Sequence, residues 1–103
     1  MDWNNQDNKR LVRAILALKT ENEAKRFLRD LMTEGEIEEF GQRLQVAKML
    51  YEKAPYTTIE DKTGLSSTTI ARVAKWLNGK EEGYKLILNR LHHHQLESCV
   101  RED

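Results

Sequence analysis

Three times in 103 residues the chain carries the same four-residue signal: Thr20-Glu21-Asn22-Glu23, Thr33-Glu34-Gly35-Glu36 and Thr57-Thr58-Ile59-Glu60. In a capping box of this kind the threonine hydroxyl accepts from an orphan backbone N–H of the first helical turn. The glutamate then reaches back to the threonine N–H. Each signal predicts a helix start. The residues between them keep helical spacing. Leu11, Ala14, Ile15 and Leu18 stand at i, i+3, i+4, i+7 before the first box, and Ala24, Phe27, Leu28 and Leu31 follow it. Ile37, Phe40, Leu44, Ala47 and Leu50 or Tyr51 continue after the second. Pro55 predicts the end of that helix, because proline disfavours helical geometry in the residue before it. Ser66 predicts an N-cap for a helix carrying Ile70, Val73, Ala74 and Leu77. Asn78-Gly79 predicts a left-handed C-cap behind it. Tyr84, Ile87, Leu88 and Leu91 mark a last helix, expected to fray through His92-His93-His94. No stretch alternates long enough for a strand. The expectation is an all-α fold of six helices: a single domain over 1–97 and a disordered polar tail over 98–103.

Composition narrows the function. Lys plus Arg and Asp plus Glu are 17 each, a formal net charge of zero, which argues against a broad coat on nucleic acid. Charge is distributed by segment instead. Over 57–80, Lys62, Arg72, Lys75 and Lys80 outnumber Glu60 and Asp61. No apolar run approaches the ~18 residues of a membrane span, and Met1-Asp2-Trp3-Asn4-Asn5 lacks a signal peptide's basic and apolar regions. The single Cys99 excludes an intrachain disulfide and a cysteine-built zinc finger. A cytoplasmic location with no membrane partner follows as the expectation. His92, His93 and His94 point ~100° apart on a helix and do not converge as zinc ligands at i, i+4 do. Glu34, Glu36, Glu38 and Glu39 crowd a helix start, where negative charge stabilises the dipole. Cys99 lies near Glu97, Glu102 and Asp103, which raise rather than lower a thiol pKa. With no nucleophile–base pair, phosphate loop or metal cluster, the sequence predicts no enzyme, no cofactor and no metal.

The window 56–77 carries the function. A helix-turn-helix needs a short helix, a turn that tolerates positive φ, and a second helix packed across the first. Gly64 supplies the turn, Leu65 plugs the angle, and Ile59 faces Ile70 and Val73 across it. Two residues depart from the usual motif. Glu60 stands where a small residue is common, and Thr63 where a larger apolar one is. The outer face is hydroxyls and cations: Ser66, Ser67, Thr68 and Thr69 at the start of the second helix, then Arg72 and Lys75, with Thr57, Thr58 and Lys62 on the first. Short hydroxyls donate to phosphates and base edges, and a recognition helix enters the major groove by its N-terminal part. These nine residues are the candidate DNA-binding set.

Met32-Thr33 opening a long helix, then Phe40-Gly41-Gln42-Arg43, and Gly64 through Ile70-Ala71-Arg72, together resemble the bacterial Trp repressor family. More closely they resemble its YerC/YecD-like branch. The resemblance covers roughly residues 27–91, and the first helix fits it as well. It implies six helices in an intertwined homodimer, with helix-turn-helix heads reading two-fold-related operator half-sites ~34 Å apart. The implied function is sequence-specific, repressor-like regulation of transcription on double-stranded DNA. A domain this short buries only about two thirds of its unfolded surface, which gives dimerisation a physical motive.

The resemblance also bears on an effector. In the Trp repressor two arginines sandwich the indole of free tryptophan and a threonine helps hold it; Arg43, Arg72 and Thr33 fall on those positions. Val73 replaces the family's glycine and Trp76 its serine. Trp76, at i+4 from Arg72, lies on the same helix face and can stack on that guanidinium; it either fills or borders the pocket or is simply a core residue. Thr33, Arg43, Arg72, Val73 and Trp76 are therefore the candidate effector pocket. Control by tryptophan is not expected, and any other small-molecule effector stays unknown. Two rival readings remain. One is a helical dimeric protein-interaction module in which DNA contact is lost or incidental. The other is origin binding of the replication-initiator type, weakened by the missing ATPase domain.

Overall fold

The computed structural model describes residues 1–102, with side chains through His93. Six helices form among them: α1 (Gln6–Ala17), α2 (Glu21–Leu31), α3 (Glu34–Tyr51), α4 (Tyr56–Thr63), α5 (Ser67–Leu77) and α6 (Gly83–Glu102). No strand is present among the described residues. The tail expected over 98–103 lies outside the residues whose side chains are described, as do His94 and Cys99. The chain divides into two compact units, Met1–Ile37 and Glu38–Asp103.

In the first unit Asn5 caps α1, its side chain accepting from the Asp7 and Asn8 N–H groups at 2.9 and 3.4 Å. Thr20 caps α2 through its hydroxyl, 3.1 Å from the Glu23 N–H. The reciprocal bond expected there is shifted by one residue: the Glu23 carboxylate accepts from Lys19 at 3.0 Å, not from Thr20. Thr20 is extended, at φ −130° and ψ 160°, and the Lys19 N–H is the one within reach. The second box closes as expected, with Thr33 N–H to Glu36 at 3.0 Å and Glu36 N–H to the Thr33 hydroxyl at 3.1 Å. Arg29 binds the Met32 carbonyl and pairs with Glu34 at 3.5 Å, tying the end of α2 to the start of α3. Neither α1 nor α2 holds a buried residue.

The second unit holds the core: Val46 and Ala47 of α3, Ile59 of α4, Ile70, Val73 and Leu77 of α5, and Leu88 of α6. Val46 lies beside the apolar stripe read from the sequence. It joins Ala47 in the buried cluster, with Leu44, Met49 and Leu50 of the same helix packed against it. No polar or charged side chain is buried among the described residues.

Three helix ends differ from expectation. Pro55 does not end α3. That helix closes earlier in a Schellman arrangement, with Lys53 at φ 68°, Lys53 N–H to Leu50 at 3.0 Å and Ala54 N–H to Met49 at 2.9 Å. The third capping box does not form either. Pro55, at φ −65° and ψ 150°, is itself the N-cap, so α4 starts two residues early and has no side-chain cap. At the end of α5 the left-handed cap is absent: Asn78 sits at φ −95° and Gly79 has no positive φ. The Asn78 N–H and side-chain amide both bond Ala74, each at 3.0 Å. Gly79 serves there by close approach, since a Cβ would stand 3.2 Å from the Trp76 carbonyl.

Candidate nucleic-acid interface

The corner between α4 and α5 is three residues long. Gly64 takes the left-handed conformation at φ 73°, and its N–H returns to Glu60 at 2.8 Å. Thr63 then holds both sides of the turn. Its hydroxyl donates to the Ile59 carbonyl at 2.7 Å and accepts the Leu65 N–H at 3.2 Å. An apolar residue at 63 would leave the Leu65 N–H without that partner, which explains the departure from the usual motif. Leu65 packs on the core cluster as a half-buried plug.

The four hydroxyl residues at the head of α5 divide into two pairs. Ser66 is the N-cap; its Oγ accepts the Thr69 N–H at 3.3 Å and lies 3.2 Å from the Thr69 hydroxyl. Both hydroxyls are engaged with each other, and Thr69 is half-buried. Ser67 and Thr68 are exposed. Thr68, Arg72 and Lys75 follow at i, i+4, i+7, all exposed, opposite the buried Ile70, Val73 and Leu77. On α4, Thr57 and Lys62 are exposed and Thr58 is half-buried. With no side-chain cap and no acidic residue in the first turn of α4, the free N–H groups there carry a partial positive charge that favours an anion.

Beside this face runs a groove between α3 and α5, lined by Glu39, Gln42, Arg43, Leu65, Thr69, Arg72, Val73 and Trp76. The structure thus brings four expected pocket residues together: Arg43, Arg72, Val73 and Trp76. Thr33 belongs to the first unit, where it caps α3. The stack that spacing allows between Trp76 and Arg72 goes instead to Arg43, whose guanidinium carbon lies 5.1 Å from the Trp76 ring centroid and 5.1 Å from that of Phe40. Arg43 also pairs with Glu39 at 3.0 Å. Trp76 is 43% exposed, so it is not a core residue. From the sequence Phe40 is expected only in the apolar stripe and the family motif, and Glu39 only as a charge at the helix start; both stand within one turn of Arg43 on the same helix face and hold its side chain.

A sequence model described as Trp repressor protein matches residues 6–92. The chain belongs to the Trp repressor family. The match begins in α1, so it takes in the first helix that the sequence motifs left at its margin. YerC of Bacillus subtilis (strain 168) is 43% identical over 91 residues, covering 88% of each chain. Two solved structures share the fold. A TrpR-like protein from Eubacterium eligens ATCC 27750 superposes with a TM-score of 0.82 at 42% identity, over 87% of this chain and 93% of the other. A candidate Trp repressor from Staphylococcus aureus gives 0.80 at 38% identity, over 89% and 95%. This family member has no helix among the described residues long and apolar enough to cross a membrane. Among the same residues no group of three or more His, Cys, Asp or Glu could hold a metal ion. Membership in the family points to regulation through DNA binding.

Proposed function

We propose that this protein is a homodimeric, sequence-specific regulator of transcription that reads double-stranded DNA with α5 and acts without tryptophan. The observation that carries the reading is the two-sidedness of α5. Its inner face is buried aliphatic side chain, and its outer face offers Ser67, Thr68, Arg72 and Lys75 to solvent. Ser67 and Thr68 read base edges at the head of the helix, Arg72 reaches base or phosphate, and Lys75 meets phosphate. Ser66 and Thr69 shape the head rather than touch the bases. Thr57, Thr58 and Lys62 on α4 hold the neighbouring backbone. Residues 1–97 work as one helical domain completed by the second chain. The site of action is the cytoplasm.

Independence from tryptophan is supported by the groove. Trp76 lines it together with both arginines, and Val73 is buried at its floor. Calorimetry with millimolar L-tryptophan should give no saturable heat; binding that also tightens the grip on DNA refutes this part.

The test of the whole is selection of bound fragments from fragmented genomic DNA, followed by mobility shift at several salt concentrations. Lys75→Ala should weaken all sequences alike and lower the salt slope by about one. Ser67→Ala with Thr68→Ala should abolish preference for the selected fragment while sparing non-specific binding. If no fragment is enriched and no shift is seen, the chain is a protein-interaction module.

A further inference from the structure

Among the described residues the Arg43 guanidinium carbon lies over two rings, Phe40 and Trp76, 5.1 Å from each centroid. A guanidinium is flat and weakly hydrated on its faces, so it stacks on rings where an ammonium cannot. Glu39, 3.0 Å from Nη2, fixes the edge of the same plane. Two of these three partners come from α3 itself, at i−4 and i−3, and hold the arginine ready from its own helix. The third, Trp76, is on α5.

That cross-helix contact supplies something the core does not. Ile70, Val73 and Leu77 bury an aliphatic face against Val46 and Ala47, and such burial is non-directional. Packing on α4 and α6 restrains α5, and the directional contact from α5 across to α3 is the one Trp76 makes with Arg43. Side-chain tips lie ~5–6 Å from a helix axis, so a roll of ~20° moves them about 2 Å. That exceeds the tolerance of a hydrogen bond to a base edge.

We infer that Arg43 is a positioning residue. Held over the Phe40 and Trp76 rings, it sets the roll of α5 on α3, and with it the angle at which Ser67, Thr68 and Arg72 meet DNA; it makes no DNA contact itself. This rests on the DNA-binding reading above, and the experiment separates the two.

The test compares Trp76→Phe, which keeps a ring, with Trp76→Leu, which keeps only apolar bulk, and Arg43→Lys, which keeps charge without the flat fork. The probes are the genomic fragment best retained by the wild type and a mixed-sequence duplex. Trp76→Phe should stay within about threefold of wild type on the fragment. Trp76→Leu and Arg43→Lys should lose about tenfold there and nothing on the duplex, with an unchanged salt slope. If Leu serves as well as Phe, Trp76 is only filler and the inference fails. If Arg43→Lys weakens fragment and duplex alike with a smaller salt slope, Arg43 touches phosphate and the inference fails again. Hydrogen exchange of the Ile70–Leu77 amides in the free protein reads the roll without DNA. It should quicken in Trp76→Leu and Arg43→Lys but not in Trp76→Phe. Should the wild type retain no fragment while exchange keeps that order, the DNA reading falls and the positioning of α5 stands. Equal exchange in all three variants overturns the positioning.

Discussion

Lys53 shows how much one backbone angle can decide. At φ 68° it occupies a region that costs an L-residue ~1–2 kcal/mol. It is held there because the Schellman bonds of Lys53 and Ala54 close α3. Lys53→Gly should therefore raise stability by about 0.5–1 kcal/mol, read from chemical denaturation with an unchanged slope. Glu36 gives a second test. The Thr33 backbone N–H, and with it the Thr33 hydroxyl, holds its carboxyl below the usual glutamate value of 4.5. A depressed carboxylate contributes stability that is present above the ordinary glutamate range and lost as pH falls through the lowered value. Carbon-detected NMR should find Glu36 titrating below 4.5, and Thr33→Ala should return it toward that value.

Among the elements, the α4–α5 corner is where one side chain does most. Thr63 bridges Ile59 and Leu65 across the turn, so Thr63→Val should cost about 1–2 kcal/mol by stranding the Leu65 N–H. Thermal melting followed by far-ultraviolet circular dichroism measures it. Element identity was legible in the sequence because helical period and caps agree along the chain. Thr33, Ser66 and Gly64 perform as local chemistry predicts. The helix ends were less legible. At Lys53 and Asn78 the backbone chose among closures of similar energy, and neither residue carries a mark of that choice. The groove was half legible. Spacing put Arg72 and Trp76 on one face of α5, but which arginine takes the indole depends on how α3 lies beside α5, a tertiary fact that no local pattern encodes. The hydroxyl cluster was legible in part: Ser66 read as the N-cap, but only the cap geometry joined Thr69 to it and divided that pair from Ser67 and Thr68.

For the molecule as a whole, the apolar residues left exposed are the argument for a second chain. Leu11, Ile15 and Leu16 of α1, Leu31 of α2, and Leu86, Ile87 and Leu91 of α6 are all open to solvent. Several belong to the stripes that the sequence marks as core. Exposed apolar side chains such as these on α1 and on α6 are the kind that a partner chain covers. Light scattering coupled to size exclusion should return twice the chain mass at micromolar concentration. Leu91→Glu with Ile87→Glu should lower it toward one chain, and with it the affinity for any two-fold site. A monomer at every concentration tested would contradict the dimer.

The seven side chains that form the buried cluster are all aliphatic, while Trp3 and Trp76 lie at the surface, one in each unit. Indole emission therefore samples the periphery of each unit and is blind to its middle. Followed optically during denaturation, a Trp3→Phe variant would report when α5 leaves α3, and that colour change need not coincide with the loss of helical ellipticity.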